Sequence, residues 1–304
     1  MSFPDGVLII DKPAGPTSHD VVAVARRFTR PKKVGHTGTL DPLASGVLPL
    51  VLGRATRLAQ FLSSAEKEYE ADVRLGVNTT TYDRAGDVVE QSSARDVVEL
   101  TRADVEAAVA TFRGRQMQQP PSFSAKKIDG DRAYDLARRN EPVLLQPSAV
   151  VAHTLEILEW DGARLRLRLV CSAGFYVRSL AQGIGQELGT GAHLAALVRT
   201  RSGDFSIDAA VSLEELDRNP EQAAAKVIRL NQLLLWLPAL TLTEKGAALA
   251  AKGGFISPAH LDGSHAVPRT GKVRLLHPDG HLVAIAEERP AGPVGLLHPG
   301  VVLE

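Results

Sequence analysis

Gly35-His-Thr-Gly-Thr-Leu-Asp-Pro-Leu-Ala-Ser-Gly46 is the densest polar constellation in the chain. Three glycines and one proline within it break any helical or strand period, so residues 34–46 read as a long, shaped loop. Its single acid is Asp41, with His36 five residues before it. Each feature taken alone is ordinary, because Asp-Pro starts many turns and Gly/Pro loops often do nothing else. A phosphate-binding loop is excluded, since no Gly-Lys-Ser/Thr follows the glycines. A metal site has His36 and Asp41 but no further ligand cluster beside them, so no metal is expected there.

The segments around this loop set the fold class. Val47 to Leu52 is an apolar run of buried-strand type, and Val7-Leu-Ile-Ile10 is another. After the turn Lys12-Pro-Ala-Gly-Pro16, Thr17 or Ser18 can cap a helix whose apolar face is Val21, Val22, Val24, Ala25 and Phe28. Ala55 to Leu62 reads as a helix and Tyr69 to Leu75 as a half-exposed strand. Thr101-Arg-Ala-Asp104 resembles a capping box before a helix ending near Gly114. Residues 116–130 are polar and interrupted by Pro and Gly, and Arg132 to Arg139 reads as a short helix. Leu165, Leu167 and Leu169 alternate with Arg164, Arg166 and Arg168, the pattern of a strand with one wet face. Val177 to Leu188 and Ala192 to Val198 read as helices. Strands and helices mixed without a βαβ rhythm predict an α+β fold. No internal repeat is present. Composition shifts at Leu237-Pro238, beyond which come a helix over Glu244 to Lys252 and two strands around Pro278-Asp-Gly280. Two domains are therefore expected, 1–237 and 238–304, in keeping with the length.

With 304 residues, 44% hydrophobic and 23% charged, the chain can bury a sizeable core; a disordered or collagen-like protein is excluded. The lone cysteine, Cys171, rules out an intramolecular disulfide and any multi-cysteine cluster, which fits a reducing compartment. The N-terminal stretch has no basic n-region and an apolar run of only four residues, Val7 to Ile10, so it is not read as a secretory signal. No stretch approaches the ~20 apolar residues of a membrane helix. A soluble, cytoplasmic protein with no membrane association is expected. The balance of 35 basic and 35 acidic side chains argues mildly against a nucleic-acid partner. Locally the balance fails: Arg26, Arg27, Arg30, Lys32 and Lys33 place five cations in eight residues with no acid between them, leading straight into the His36 loop. Such a run is usually a solvated face, but here phosphate contact is the better reading.

Taken whole, residues 35–46 resemble the active-site motif G-H-T-G-x-L-D-P-x-A-x-G of the tRNA pseudouridine synthase B family, at every fixed position. The resemblance continues in Lys67-Glu-Tyr69 with Arg74-Leu-Gly76, in the segment Pro120 to Tyr134, in Cys171-Ser-Ala-Gly-Phe-Tyr-Val-Arg178, and in Gly191-Ala-His-Leu194 through Leu197-Val-Arg199. It spans roughly residues 5–205. It implies a pseudouridine synthase core with a mixed, mostly antiparallel sheet flanked by helices, plus a small β-rich PUA-like C-terminal domain. It also implies isomerisation of uridine 55 in the T-loop of tRNA by base flipping, with no cofactor and no metal. The expected partner is the T-arm of tRNA; no protein partner is expected to be required, and a monomer is expected.

The resemblance also assigns roles. Asp41 is the catalytic carboxylate, Arg178 its basic partner, and Tyr69 the ring that stacks on the flipped uracil and is a candidate proton acceptor. Read alone, Arg178 would be a solvated surface residue and Tyr69 a core tyrosine. His36 is placed against RNA beside the flipped base, Tyr176 and Leu197 in the uridine pocket, and Arg57 near the substrate. Arg30, Lys32, Lys33, Lys126 and Lys127 are read as RNA contacts, whose binding should weaken with salt. Two departures from the family pattern stand out: in Thr79-Thr-Thr-Tyr-Asp83 the first acidic position is lost at Thr80 while Asp83 is retained, and Gly183 occupies a position that is commonly acidic; both losses are expected to weaken any network around Arg178. Two rival readings exist. An RNA-binding or tRNA-folding protein with secondary or no catalysis would bind RNA independently of Asp41. A small-molecule nucleosidase is disfavoured by the basic run at 26–33.

Overall fold

Every second residue from 67 to 75 and from 164 to 171 is buried, and this alternation builds the centre of the molecule. The computed structural model describes all residues except 1–2, 30–32, 90–95, 123–126, 129–130, 133–144, 264–270 and 289–294, and only the backbone at 127–128 and 131–132. Of the sequence expectations, the Arg132 to Arg139 helix and the side chains of Arg30, Lys32, Lys126 and Lys127 lie outside the described residues.

The main strands are β1 (Gly6–Lys12), β2 (Ala44–Leu52), β3 (Lys67–Leu75), β4 (Gly114–Gln118), β5 (Ser148–Trp160), β6 (Arg164–Cys171), β7 (Ala192–Ser202) and β8 (Val211–Ser212). Among the described residues they run in the order β8-β1-β2-β7-β3-β6-β5-β4, and three short strands (Val34–His36, Phe205–Ser206 and Ile228–Arg229) complete an eleven-stranded sheet. Only β1–β8 and β2–β7 pair in parallel; the other contacts along the order are antiparallel. The sheet is thus mixed and mostly antiparallel, the α+β architecture expected.

Helices α1 (Ser18–Thr29), α2 (Arg102–Ala110) and α3 (Val177–Leu188) cover one face. Their buried residues, among them Val21, Val105 and Ile184, join Tyr69, Val73, Leu167 and Leu169 in the largest core. Local chemistry starts and stops these helices. Thr17 and Asp20 exchange hydrogen bonds before α1, Thr101 and Asp104 form the anticipated capping box before α2, and Gly189 closes α3 at φ 71°.

The opposite face is covered too, and this explains the unbroken apolar run Val7 to Ile10. Leu8 and Ile10 face the helices, whereas Val7 and Ile9 join a second core with Val47, Leu237, Leu282, Ile285 and Leu303. Leu282 and Ile285 belong to, Leu237 leads into and Leu303 follows a four-stranded sheet of β9 (Ala239–Thr241), β10 (Lys272–Leu276), β11 (Leu282–Glu288) and β12 (Leu297–Val302). That sheet has its own core with α4 (Glu244–Ala250), including Leu240, Ala247, Val273 and Leu275. A separate sheet follows residue 238, but its back packs against the large sheet in a shared apolar layer.

Three local expectations need correction. Ala192 to Val198 is not a helix but part of β7, which lies between β2 and β3. Register shifts between Leu194 and Ala196 and between Arg199 and Arg201 break the period of two, so the strand does not alternate in sequence. The 34–46 loop is shorter at both ends, because Val34–His36 pairs with β2 and β2 begins at Ala44. Ala55 to Leu62 is a 3-10 segment over Gly53–Leu58 running into a short helix over Ala59–Ser63. Among the described residues, no helix is long and apolar enough to cross a membrane.

Candidate active site

The seven residues between the Val34–His36 strand and β2 carry Asp41, and the loop is tied down from three sides. The Ser18 hydroxyl at the start of α1 donates to Leu40 O (3.0 Å) and accepts from Leu40 N–H (2.9 Å). Gly15 N–H donates to Pro42 O at 2.7 Å. Arg199, the largest fully buried side chain, donates from Nε to Val47 O (2.7 Å) and from Nη2 to Gly38 O (3.1 Å). Gly46 is required where the loop ends: its φ is +96° and a Cβ there would lie 2.3 Å from the Arg199 carbonyl oxygen on β7.

These ties aim Asp41 at Arg178, in the first turn of α3. Arg178 Nε lies 2.8 Å from Asp41 Oδ2 and Nη2 lies 3.3 Å from Oδ1, a two-pronged pair. The arginine side chain is 7% exposed against 36% for the aspartate, so the cation is the buried partner and the carboxylate has the open side. Arg178 also donates to Thr81 O at 3.2 Å and faces Asp83 Oδ2 at 3.7 Å. Asp83 is itself held, accepting from Thr81 Oγ1 at 2.6 Å and Ala85 N–H at 2.9 Å.

Asp83 supplies a second carboxylate to Arg178, while the Thr80 hydroxyl accepts from Asp87 N–H in its own exposed turn. At Gly183 a Cβ would come within 2.8 Å of the Phe112 ring, so the position is filled by an aromatic packed on α3.

Asp41, Arg178, Tyr69, His36, Tyr176 and Leu197 all line one cavity of about 370 Å³. Tyr176 is fixed by Gln118, which accepts from its N–H (2.7 Å) and donates to its carbonyl (3.0 Å). Arg57 is not brought to the cavity: it is exposed and donates to Val302 O at 2.5 Å, on the C-terminal sheet. Lys33 is exposed at the foot of the loop. Within the basic run, Arg26 is spent on Val34 O (3.2 Å) and Arg27 on Asp217 (3.2 Å).

Four cavity or near-cavity groups were not singled out from sequence. Lys67 lines the cavity and donates to Ser63 O and Ala65 O at 2.5 and 2.6 Å. Lys12, at the end of β1, is wholly buried and donates to Pro13 O at 2.8 Å. Arg199 lines the cavity beside Tyr69. The Thr37 hydroxyl, also lining it, is buried without a hydrogen-bond partner. Thr37, Lys67 and Arg199 stand inside the motifs quoted above, and Lys12 opens the turn after β1, but the sequence gives none of them a place in the site.

Burial dominates the electrostatics. It raises the Asp41 carboxyl above its usual range; Arg178 pulls it back, and Asp83 adds to the rise. It raises the Tyr69 phenol as well, against a hydrogen bond from Arg199, so the phenoxide that a proton-accepting tyrosine needs is disfavoured at neutral pH. Burial lowers Lys12 and Lys67 to about 8 each, with Asp41 opposing the fall at Lys12. Among the described residues lining the cavity Asp41 is the one carboxylate, with Arg178 paired to it and Arg199 holding its loop.

Comparison with known proteins points the same way. Residues 26–177 match the family model described as TruB family pseudouridylate synthase (N terminal domain), and residues 178–237 match tRNA pseudouridylate synthase B C-terminal domain. The chain is 46% identical to a tRNA pseudouridine synthase B of Solibacter usitatus over 98% of this chain and 100% of that one. It is 41% identical to one of Corynebacterium diphtheriae over 93% and 92%, and 38% identical to one of Bacillus cytotoxicus over 98% and 97%. Among solved structures, a chain of a Cbf5-Nop10-Gar1 complex superposes with a TM-score of 0.73 at 28% identity, covering 98% of this chain and 85% of that one. A chain of an H/ACA RNP bound to a substrate RNA containing 2'-deoxyuridine gives 0.72 at 26% identity, with coverage of 98% and 85%. Similarity that runs almost from end to end, through the loop that presents Asp41 and the helix that presents Arg178, places the chain in the TruB family of pseudouridylate synthases.

Proposed function

We propose that this chain converts uridine 55 in the T-loop of tRNA to pseudouridine, with Asp41 as the acting carboxylate. The observation that carries the reading is the Asp41–Arg178 pair: Asp41 is the only carboxylate among the described residues lining the cavity, and Arg178 fixes its direction. The reaction breaks the N1–C1′ bond, forms a C5–C1′ bond, and moves one proton from C5 to N1. It is an isomerisation whose balance closes without oxidant or reductant. A base stacked in RNA cannot reach a cavity of this kind, so the uridine must swing out to enter it.

Within the cavity the roles follow from position. The ionised Asp41 carboxylate acts on the reacting nucleoside, and the ion pair with Arg178 keeps it ionised and oriented. Tyr69 and Tyr176 offer ring faces, and Leu197 offers an apolar contact, for the extruded base. Tyr69 serves as a stacking ring that keeps its phenolic proton, since burial opposes its ionisation. The exposed Lys33 lies beside the loop, where a backbone phosphate of the T-arm would pass.

The test uses an unmodified tRNA transcript and maps pseudouridine by chemical labelling and primer extension. One stop, at position 55, is the expected result. Asp41→Asn should abolish it and leave salt-sensitive tRNA binding intact. Binding without product in the unmodified protein would favour the rival reading, an RNA-binding or tRNA-folding protein. Product from Asp41→Asn would overturn the catalytic assignment.

A further inference from the structure

The turn between β10 and β11, His277-Pro-Asp-Gly-His281, takes no part in the site above. It gathers three donor side chains whose ligating atoms all lie within 4.8 Å of one another. One oxygen of Asp279, Oδ1, is the hub: His277 Nδ1 lies 3.2 Å from it and His281 Nδ1 2.5 Å from it. The two imidazoles stack nearly parallel, with ring centroids 4.5 Å apart. We propose that His277, Asp279 and His281 form a binding site for one divalent transition-metal ion of the zinc class, with solvent completing the coordination.

Three features separate this cluster from an ordinary polar turn. The first is donor type and spacing. Two imidazole nitrogens and a carboxylate oxygen are a zinc-type set, and tetrahedral bonds of about 2.0–2.1 Å put ligand atoms about 3.3 Å apart. The His277–Asp279 separation already has that value, and the His281–Asp279 pair needs to open by less than about 1 Å.

The second is the outer ring of contacts. A metal-bound histidine usually turns its other nitrogen to a carboxylate, which orients the ring and makes it a better donor. Both histidines do so here. His281 Nε2 lies 2.6 Å from Glu304 Oε1, and His277 Nε2 lies 3.4 Å from Glu244 Oε2. His277 Nδ1 accepts from Asp279 N–H at 3.3 Å, which puts the ring proton on the nitrogen facing Glu244; the metal would have to take the place of this N–H at Nδ1.

The third is access. The side chains of His277, Asp279 and His281 are 22%, 62% and 46% exposed, so an ion can enter the folded protein. Asp279 and His281 line a cleft of about 650 Å³ together with Asp5, Arg54 and Arg229. A bound ion would fasten the β10–β11 turn at the seam between the two sheets, with the proton shared by His281 and Asp279 leaving as the metal enters.

The experiment uses the full-length protein without a polyhistidine tag, treated with chelator and dialysed. Zn²⁺ is titrated against a chromophoric indicator, and Co²⁺ is followed by its visible absorption. The expected result is one equivalent bound at micromolar or tighter Kd, weakened at least tenfold by His277→Ala and by His281→Ala, and about tenfold by Glu304→Gln. X-ray absorption of the zinc-loaded unmodified protein, which needs no variant to fold, should show two imidazoles around the ion. Binding weaker than about 1 mM, binding unchanged in a folded His277→Ala/His281→Ala protein, or an absorption spectrum without imidazole would each overturn the proposal.

Discussion

Replacing Arg178 by Met would remove the cation shared by two carboxylates while keeping an unbranched apolar stem in its place. Removing one partner of a buried, hydrogen-bonded ion pair costs about 3–5 kcal/mol. Arg178 and Asp83 are each 7% exposed, so this figure needs little discount for solvent on their side; Asp41, at 36%, argues for its lower end. Sharing about 3 kcal/mol between the two acids by inverse distance, 2.8 Å for Asp41 and 3.7 Å for Asp83, gives Asp41 somewhat more than half. That is roughly 1.7 kcal/mol, or a little over one pKa unit. The sign follows from linkage. A carboxyl whose folded pKa is raised binds protons more readily folded than unfolded, so it penalises the folded state increasingly as pH rises. Asp41 is already raised by burial, and losing Arg178 raises it further. The stability lost in Arg178→Met should therefore be largest near pH 8 and shrink as pH falls through the raised pKa. Urea unfolding at pH 8 and pH 5 reads the stability, and carbon NMR of the labelled Asp41 carboxyl reads its pKa without requiring activity. An Asp41 pKa that stays put or falls, or a stability loss equal at both pH values, would refute the assignment of Arg178 as the group that keeps Asp41 ionised.

Asp83→Asn tests the other side of the same balance. Removing the carboxylate that raises Asp41 should lower the Asp41 pKa and move the acid limb of the single-turnover pH profile to lower pH; a shift upward would contradict the geometry. Thr37→Val removes a buried hydroxyl that has no partner in the protein, so stability should hold or rise by up to about 1 kcal/mol. The same change should lower kcat/KM roughly 2- to 10-fold if that hydroxyl bonds the bound nucleoside; unchanged kinetics would remove Thr37 from the site. Gly183→Ala should cost about 1–3 kcal/mol in thermal unfolding because its Cβ meets the Phe112 ring, and should cost less in a Phe112→Leu background. Equal costs in both backgrounds would mean that Phe112 does not fill the space.

Features set by neighbours in the chain were legible before the structure. The capping box at Thr101 and Asp104, the alternation of Arg164 to Leu169 and the shaped loop around Asp41 each depend on residues close in sequence. What could not be read depends on partners far away. Asp83 and Thr81 reach Arg178 across about a hundred residues, so the retained acid can be named from the sequence but its contact with the arginine cannot. Phe112 explains Gly183 only once α3 lies on it. The misread strand β7 shows the same cause. Both of its register shifts fall in its pairing with β3, and they erase the alternation that would have named it. That strand also carries Arg199, whose guanidinium bonds the loop at Gly38 and Val47 and whose backbone excludes any side chain at Gly46. The irregular strand and the catalytic loop are therefore one construction. β7 departs from regular pairing with β3 along the same stretch in which its backbone passes against Gly46, and the buried arginine there fixes the loop that points Asp41 at Arg178.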